Sequence, residues 1–270
     1  MMLLGTITSP ENPHIRYARS LKERKRVRYR EKRYLLEGLR LVAQAWRTQK
    51  RLAFAFYTAE FAQLPEGQAL LEEFATGEIK AWQVPPELLQ RISDTVSPQG
   101  IVAVAPMPEP DPAEVEHASL VLILDAIRDP GNLGTILRTA QAAGVEAVLL
   151  SRGCADPYAP KTVRAGMGAH LSLALFGRLG WQRIRDLVKG KQIVLADVQG
   201  ELTPWEIDWT LPSALIIGSE AHGASPQARE LAQLQARLPM AAEAESLNAA
   251  IASGIFLFEA RRQRLRISPR

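Results

Sequence analysis

The sequence predicts an α/β chain in two parts, and three observations carry that prediction. Short apolar runs alternate with helical patterns from about residue 34 to the end, the order expected of sheets covered by helices. Between the two series, MPEPDPAEVEH (107–117) holds three prolines and four acids and reads as a linker, which puts a boundary near residue 112. Charge is also unevenly shared: residues 12–51 hold fourteen Lys or Arg against three Glu, so with a formal net charge of +4 the remainder carries −7.

The 270 residues suit one large or two ordinary domains, and 47% hydrophobic with 23% charged residues is enough apolar material for a substantial core. No uninterrupted apolar run reaches membrane-spanning length, and the opening MMLLGTITSPENP is short and lacks the basic flank of a signal peptide. A soluble, cytoplasmic protein with no membrane partner is the expectation. Cys154 is the only cysteine, which excludes an intrachain disulfide and a cysteine cluster for zinc, and His14, His117, His170 and His222 show no ligand spacing. No metal is expected.

Residues 14–33 read as a basic helix with a weak apolar side at Ile15, Ala18, Leu21 and Val27. Its cations Arg16, Arg19, Lys22, Arg24, Lys25, Arg26, Arg28 and Arg30 are too dense in one sign for an ordinary mixed surface, and point to a polyanion. Tyr17, Tyr29 and Tyr34 are interleaved, and Arg with Tyr suits RNA, since guanidinium meets phosphate and a ring can stack on an unpaired base. A solvated charged helix is the alternative. LRLVAQAWRTQ follows as a helix and LAFAFYT as a strand. ALLEEFATG is a helix with Gly77 placed as its C′ residue. IKAWQVP is strand-like, PELLQRISD a helix opened by proline, and GIVAVAP a strand.

In the second series SLVLILDAI is a near-continuous apolar strand, as in a buried parallel sheet. GNLGTILRTAQAAG is a helix, AVLLSRG a strand, KTVRAGMGA a helix or turn, and LSLALF a strand. WQRIRDLVKG is a helix, and QIVLADV and ALIIGSE are strands. SPQARELAQL is a helix with Ser225 at N-cap and Pro226 at N1. ARLPM reads as a last short strand before a small-residue loop and the C-terminal helix. The pattern describes an open sheet with helices on both faces, in which ligands sit at the carboxyl ends of strands.

Three such strand ends carry polar side chains. DAIRDPGNLGTILRTAQAAG (125–144) offers Asn132 near the helix start and Arg138 six residues on, which could face one cleft or could be a cap and a surface cation. IIGSEAHGAS (216–225) has Gly218 and Gly223 for close backbone approach and Glu220 at the strand terminus, without the spacing of a phosphate-binding or dinucleotide loop. LPMAAEAESLNAAIASGIFLFEARRQR (238–264) supplies Ser246, Leu247 and Asn248 where loop meets helix, then a seam of small residues. The set contains no Ser–His or Cys–His pair, so chemistry brought by an electrophilic cofactor, with the protein orienting the reactants, fits it best.

NLGTILRTAQAAG, IIGSEAHGAS and the stretch 238–264 resemble, in order, the three motifs of the SpoU/TrmH family of RNA ribose 2′-O-methyltransferases within the SPOUT superfamily. SPENPHIRYARSLKERKRVR with YLLEGLRLV is similar to the substrate-binding domain of members that modify ribosomal RNA, itself like the small α/β fold of ribosomal and kink-turn-binding proteins. The resemblance implies S-adenosylmethionine as cofactor, a deep trefoil knot in a catalytic domain over 113–270 and an RNA-binding domain over 1–112. It also implies a homodimer with its active site near the subunit interface. It assigns Gly218, Leu238, Met240 and Leu247 to the cofactor, and Arg138, Asn132, Glu220, Ser246 and Asn248 to catalysis. Ribosomal RNA is the expected substrate, with transfer RNA behind it. A non-catalytic RNA-binding assembly factor and a nucleotide-dependent enzyme are the rival readings. Ala221, His222 and Ala224 depart from the family's second motif.

Overall fold

The computed structural model describes residues 3–49, 52–241 and 246–265, and the chain divides into two compact units. One comprises 1–107 with 158–171, the other 108–157 with 172–270.

The first unit begins with β1 (Leu3–Thr6), α1 (Pro13–Glu23) and α2 (Lys25–Glu31). Then come β2 (Arg33–Glu37), α3 (Leu39–Gln49), β3 (Phe54–Tyr57), α4 (Ala59–Gln63) and α5 (Pro65–Thr76). β4 (Ala81–Gln83), α6 (Pro86–Ile92) and β5 (Ile101–Pro106) complete its sheet, ordered β1-β4-β3-β5-β2 with only β5 running antiparallel to the other four. Ile15, Ala18 and Leu21 of α1 are buried against Phe54, Phe56, Val102 and Val104, because spacings of three and four put them on one helical face.

Four sequence expectations change here. The basic segment is two helices, not one, with Arg24 extended between them (φ −119°, ψ 105°). Arg28 is buried and donates from Nη1 to the carbonyls of Leu21 (2.6 Å) and Lys22 (3.0 Å), so it ties α2 to the end of α1 and cannot face RNA. Tyr34 is wholly buried in β2, where loss of water raises its phenol well above the ordinary range, and Lys25 lies over the Tyr29 ring at 5.7 Å. Gly77 ends α5, but at φ −89° and not in a left-handed conformation; a Cβ there would meet the Trp46 ring at 2.3 Å.

In the second unit the expected linker is partly helical. α7 (Pro112–His117) starts at Asp111, whose carboxylate accepts from Ala113 N (2.9 Å) while Glu114 accepts from Asp111 N (2.7 Å). That reciprocal capping box outweighs the proline count, because proline at N1 costs a helix nothing. Lys191 is buried beneath α7 and donates to the carbonyls of Glu116 and Ala118 at its end; desolvation lowers its ammonium pKa.

β6 (Leu120–Leu124), α8 (Pro130–Ala143) and β7 (Ala147–Ser151) follow; α9 (Pro160–Gly166) belongs to the first unit. β8 (Ala174–Leu179), α10 (Trp181–Leu187), β9 (Gln192–Ala196), β10 (Ser213–Ile217), α11 (Pro226–Leu231), β11 (Leu234–Ala236) and α12 (Ala249–Leu265) complete the second. The sheet is entirely parallel, ordered β11-β9-β10-β6-β7-β8. β6, β7 and β10 are buried at every position, which explains their unbroken apolar runs.

The chain leaving β11 is held from both sides by the loop that joins β9 to β10. Asp197 N donates to Ala236 O (2.9 Å), and Arg237 N to Leu202 O (2.8 Å). Gly200 lies so close that a Cβ on it would be 2.5 Å from the Ala236 carbonyl carbon. Further along, Gln263 of α12 bonds to Trp209 N (3.0 Å) and Ile207 O (3.0 Å) of the same loop. The β9–β10 loop thus contacts the C-terminal segment both just after β11 and along α12.

Candidate active site

Parallel order puts the ends of β11, β9, β10 and β6 side by side at the carboxyl edge of the second unit's sheet. The expected Gly218 follows β10 and Leu238 and Met240 follow β11, with the turn after β9 between them. Among the described residues, the backbone N–H groups of Gly218, Leu238 and Met240 have no hydrogen-bond partner. Three backbone donors without a partner, on two strand ends that flank β9, suit a flat polar ring and need no charged side chain. This donor set fits the adenosine portion of S-adenosylmethionine.

Two carboxylates fix these loops from behind. Asp125, at the end of β6, is buried and accepts from Ser225 N (2.7 Å) and Ser151 Oγ (3.1 Å), which ties the start of α11 and the end of β7 to one point. Asp197 is buried after β9 and pairs with Arg229 (2.6 Å) while accepting from Gln199 N (2.9 Å). Between Gly218 and α11 the chain closes a tight turn, with reciprocal bonds between Ser219 and Gly223 (2.9 Å each) and Gly223 at φ +65°. Gly218 itself allows no side chain, since a Cβ would stand 2.5 Å from Ala224 N.

The turn presents Glu220 to Asn132. The cap of α8 is Asp129, whose Oδ1 accepts from Asn132 N (2.7 Å), so the Asn132 side chain is released from capping. Its Nδ2 donates to Glu220 Oε1 (2.8 Å), and its Oδ1 accepts from Asn248 Nδ2 (3.1 Å). Asn248 in turn caps α12, its Oδ1 accepting from Ala250 N (2.9 Å) and Ile251 N (3.4 Å). The cap fixes the orientation of Asn248, and through it that of Asn132, because each amide has one donor and one acceptor end. Three segments far apart in sequence are thus joined by one chain of side-chain hydrogen bonds.

Other expected residues stand apart from that chain. Ser246 and Leu247 are exposed beside Asn248; the small-residue stretch just before them, 242–245, lies outside the described residues. Arg138 is on the exposed side of α8 with Thr135, about 9 Å along the axis from Asn132 by helical rise. It makes no hydrogen bond or ion pair with any described residue. Cys154 donates to Leu124 O (3.2 Å), and burial raises its thiol pKa, which suits structure rather than nucleophilic attack. Among the described residues, no group of three or more His, Cys, Asp or Glu is placed to hold a metal.

Sequence reasoning missed Ser151, Arg229 and the turn after β9, and quoted Asp125 without a role. An acid ending an apolar strand was a signal for Asp125; the strand order that places β9 between β10 and β11 has no signature in the sequence.

α12 packs on α8 through Ala250, Ser253 and Gly254, where a Cβ on Gly254 would be 3.5 Å from Thr139. Its other side exposes Ile251 (56%), Ile255 and Phe258 (50%), a stripe at spacings of four and three.

Residues 119–258 match the family model described as SpoU rRNA Methylase family, and 12–103 match the MRM3-like substrate binding domain. The chain is 36% identical to an uncharacterised tRNA/rRNA methyltransferase of Synechocystis, over 96% of this chain and 94% of that one. It is 31% identical to RlmP of Bacillus subtilis, a 23S rRNA (guanosine(2553)-2′-O)-methyltransferase, over 88% and 92%. The crystal structure of an AdoMet-bound rRNA methyltransferase from Sinorhizobium meliloti superposes with a TM-score of 0.85 at 30% identity, over 97% and 98%.

Proposed function

The chain belongs to the SpoU rRNA methylase family, and from that premise we propose that it methylates a ribose 2′-hydroxyl of ribosomal RNA with S-adenosylmethionine. The observation that carries the proposal is the Glu220–Asn132–Asn248 chain beside the partnerless amides of Gly218, Leu238 and Met240. The bound cofactor supplies a methyl group already activated on a sulfonium. Gly218, Leu238, Met240 and Leu247 hold it, and the chain's remaining task is to align the ribose and stabilise the oxygen that loses a proton. Asn132 keeps the Glu220 turn and the start of α12 in register. Arg138 holds the phosphate next to the reacting ribose and stabilises the developing alkoxide. It does not accept the proton, because guanidinium stays charged in proteins.

Ribosomal RNA is preferred to transfer RNA on the match of 12–103 to a substrate-binding domain and on the names of the relatives. The close contacts of the β9–β10 loop with the chain leaving β11 support the trefoil knot of the family. Thermal unfolding with S-adenosylmethionine, NAD or ATP tests the cofactor. At one hundred times its dissociation constant, S-adenosylmethionine should add about 2.7 kcal/mol and raise the midpoint by several degrees. NAD and ATP should add nothing, and a larger shift with either would support a nucleotide-dependent enzyme instead.

The apolar stripe of Ile251, Ile255 and Phe258, together with an Arg138 that meets no described residue, supports a homodimer in which a second copy covers α12 and completes the site. Sedimentation should give about twice the chain mass of 29.8 kDa, and Phe258→Asp should return it to one chain and remove methyl transfer. A wild-type protein that sediments as a monomer at full activity would refute this arrangement.

A further inference from the structure

We infer that the flank of α1 formed by His14, Tyr17 and Trp82, with Arg16 and Arg24 beside it, seats an unpaired nucleotide of the RNA substrate. The inference rests on the reading of the protein as an RNA methyltransferase and specifies the form of RNA that its first unit takes.

Aromatic rings there form a column from the core to the surface. Phe56 is buried; Trp82 stacks on it at 5.9 Å and 30°; His14 stacks on Trp82 at 4.3 Å and 30° and is exposed. Phe54 supports the column from the side, edge-on to His14 at 5.4 Å. Tyr17, one turn after His14, is half-buried with its ring 6.2 Å from Phe54. A column that ends in an exposed ring can be extended by one more flat ring, and every nucleobase offers a π-face.

Tyr17 also belongs to a second feature of α1. With Arg16, Ser20 and Arg24 it lines a shallow groove of about 500 Å³ along α1. Positions 13, 17 and 20 lie on one face of α1 at spacings of four and three, and Arg24 follows at its C-cap, so the groove runs along the helix beside the aromatic flank. The two unengaged arginines lining that groove are Arg16 and Arg24, whose side chains bond to no described residue. Arg19 is tied to Glu23 (2.8 Å). Cations without partners beside a ring platform match a phosphate and the base attached to it. A base inside a duplex cannot reach the platform, so the ligand is an unpaired loop, bulge or end of RNA.

The test uses the full chain and compares binding of a labelled oligouridylate with that of an RNA duplex of matched length, across salt. The wild type should prefer the single strand. His14→Ala and Tyr17→Leu should each weaken single-strand binding by about 5- to 100-fold, the range for loss of one base–aromatic stack. Duplex binding should be unchanged, and His14→Phe should restore affinity. Arg16→Gln with Arg24→Gln should reduce the logarithmic salt slope on the single strand by about 0.7 per cation. Unchanged oligouridylate binding by His14→Ala, or equal loss on single strand and duplex, would overturn the inference. Circular dichroism excludes misfolding as the cause. S-adenosylmethionine affinity, measured in parallel, separates the two readings: a wild type that binds RNA as described but no cofactor would contradict the enzymatic assignment alone.

Discussion

Arg138→Ala should lower methyl transfer by about 100-fold or more while S-adenosylmethionine affinity stays within about twofold, as loss of one preorganised donor at a developing oxyanion does elsewhere. The physical ground is that Arg138 does no work in the isolated fold. It is exposed on α8 and bonds to no described residue, so its removal breaks nothing that holds the unit together. Leu133, Ile136, Leu137 and Ala140, which do hold α8, are on the buried side. Arg138→Lys should fall between, because it keeps the charge and loses the planar fork that grips phosphate at two points. Single-turnover rates with cofactor saturating separate the chemical step from binding. If Arg138→Ala proceeds at the wild-type rate, or if its defect is loss of cofactor, the clamp role is wrong.

The parts of this site that could be read from the chain were the local ones. Glu220 and Asn248 sit in small-residue loops and Asn132 in the first turn of α8, each at a strand or helix end that announces itself by composition. That the three touch could not be read, because the contacts span 88 and 116 residues and depend on the order of strands. The same reason hid Asp125 with Ser151 and Asp197 with Arg229, because the two buried carboxylates meet their partners only in the assembled sheet. Arg28 shows the limit of charge patterning. Its neighbours are solvated cations, and only the break at Arg24 turns its guanidinium back onto the carbonyls ending α1. In α7 the signal is positional, since Asp111-Pro112 with Glu114 spells a capping box inside a stretch whose composition is that of a linker. Gly200 and Gly218 needed no unusual φ; their missing side chains are explained by backbone passing within about 2.5 Å of where a Cβ would be.

The second large effect concerns the substrate. An RNA carrying 2′-deoxyribose at the target nucleotide should bind with nearly unchanged affinity and accept no methyl group. Most of the binding comes from phosphates and unpaired bases, which the deoxy nucleotide keeps, whereas the nucleophile is gone. Transfer that persists on this RNA would mean that a base atom is the acceptor, and Arg138 would then have no alkoxide to stabilise. A deoxy substrate that fails to bind would instead assign the hydroxyl to recognition.

The most direct measurement is the identity of the methylated nucleoside. Ribosomal RNA incubated with the protein and isotopically labelled S-adenosylmethionine, digested to nucleosides and analysed by mass spectrometry, should release a 2′-O-methylated nucleoside whose label stays with the sugar on fragmentation. Label that stays with the base, or RNA that takes up none while the protein binds cofactor, would contradict ribose methylation at its centre.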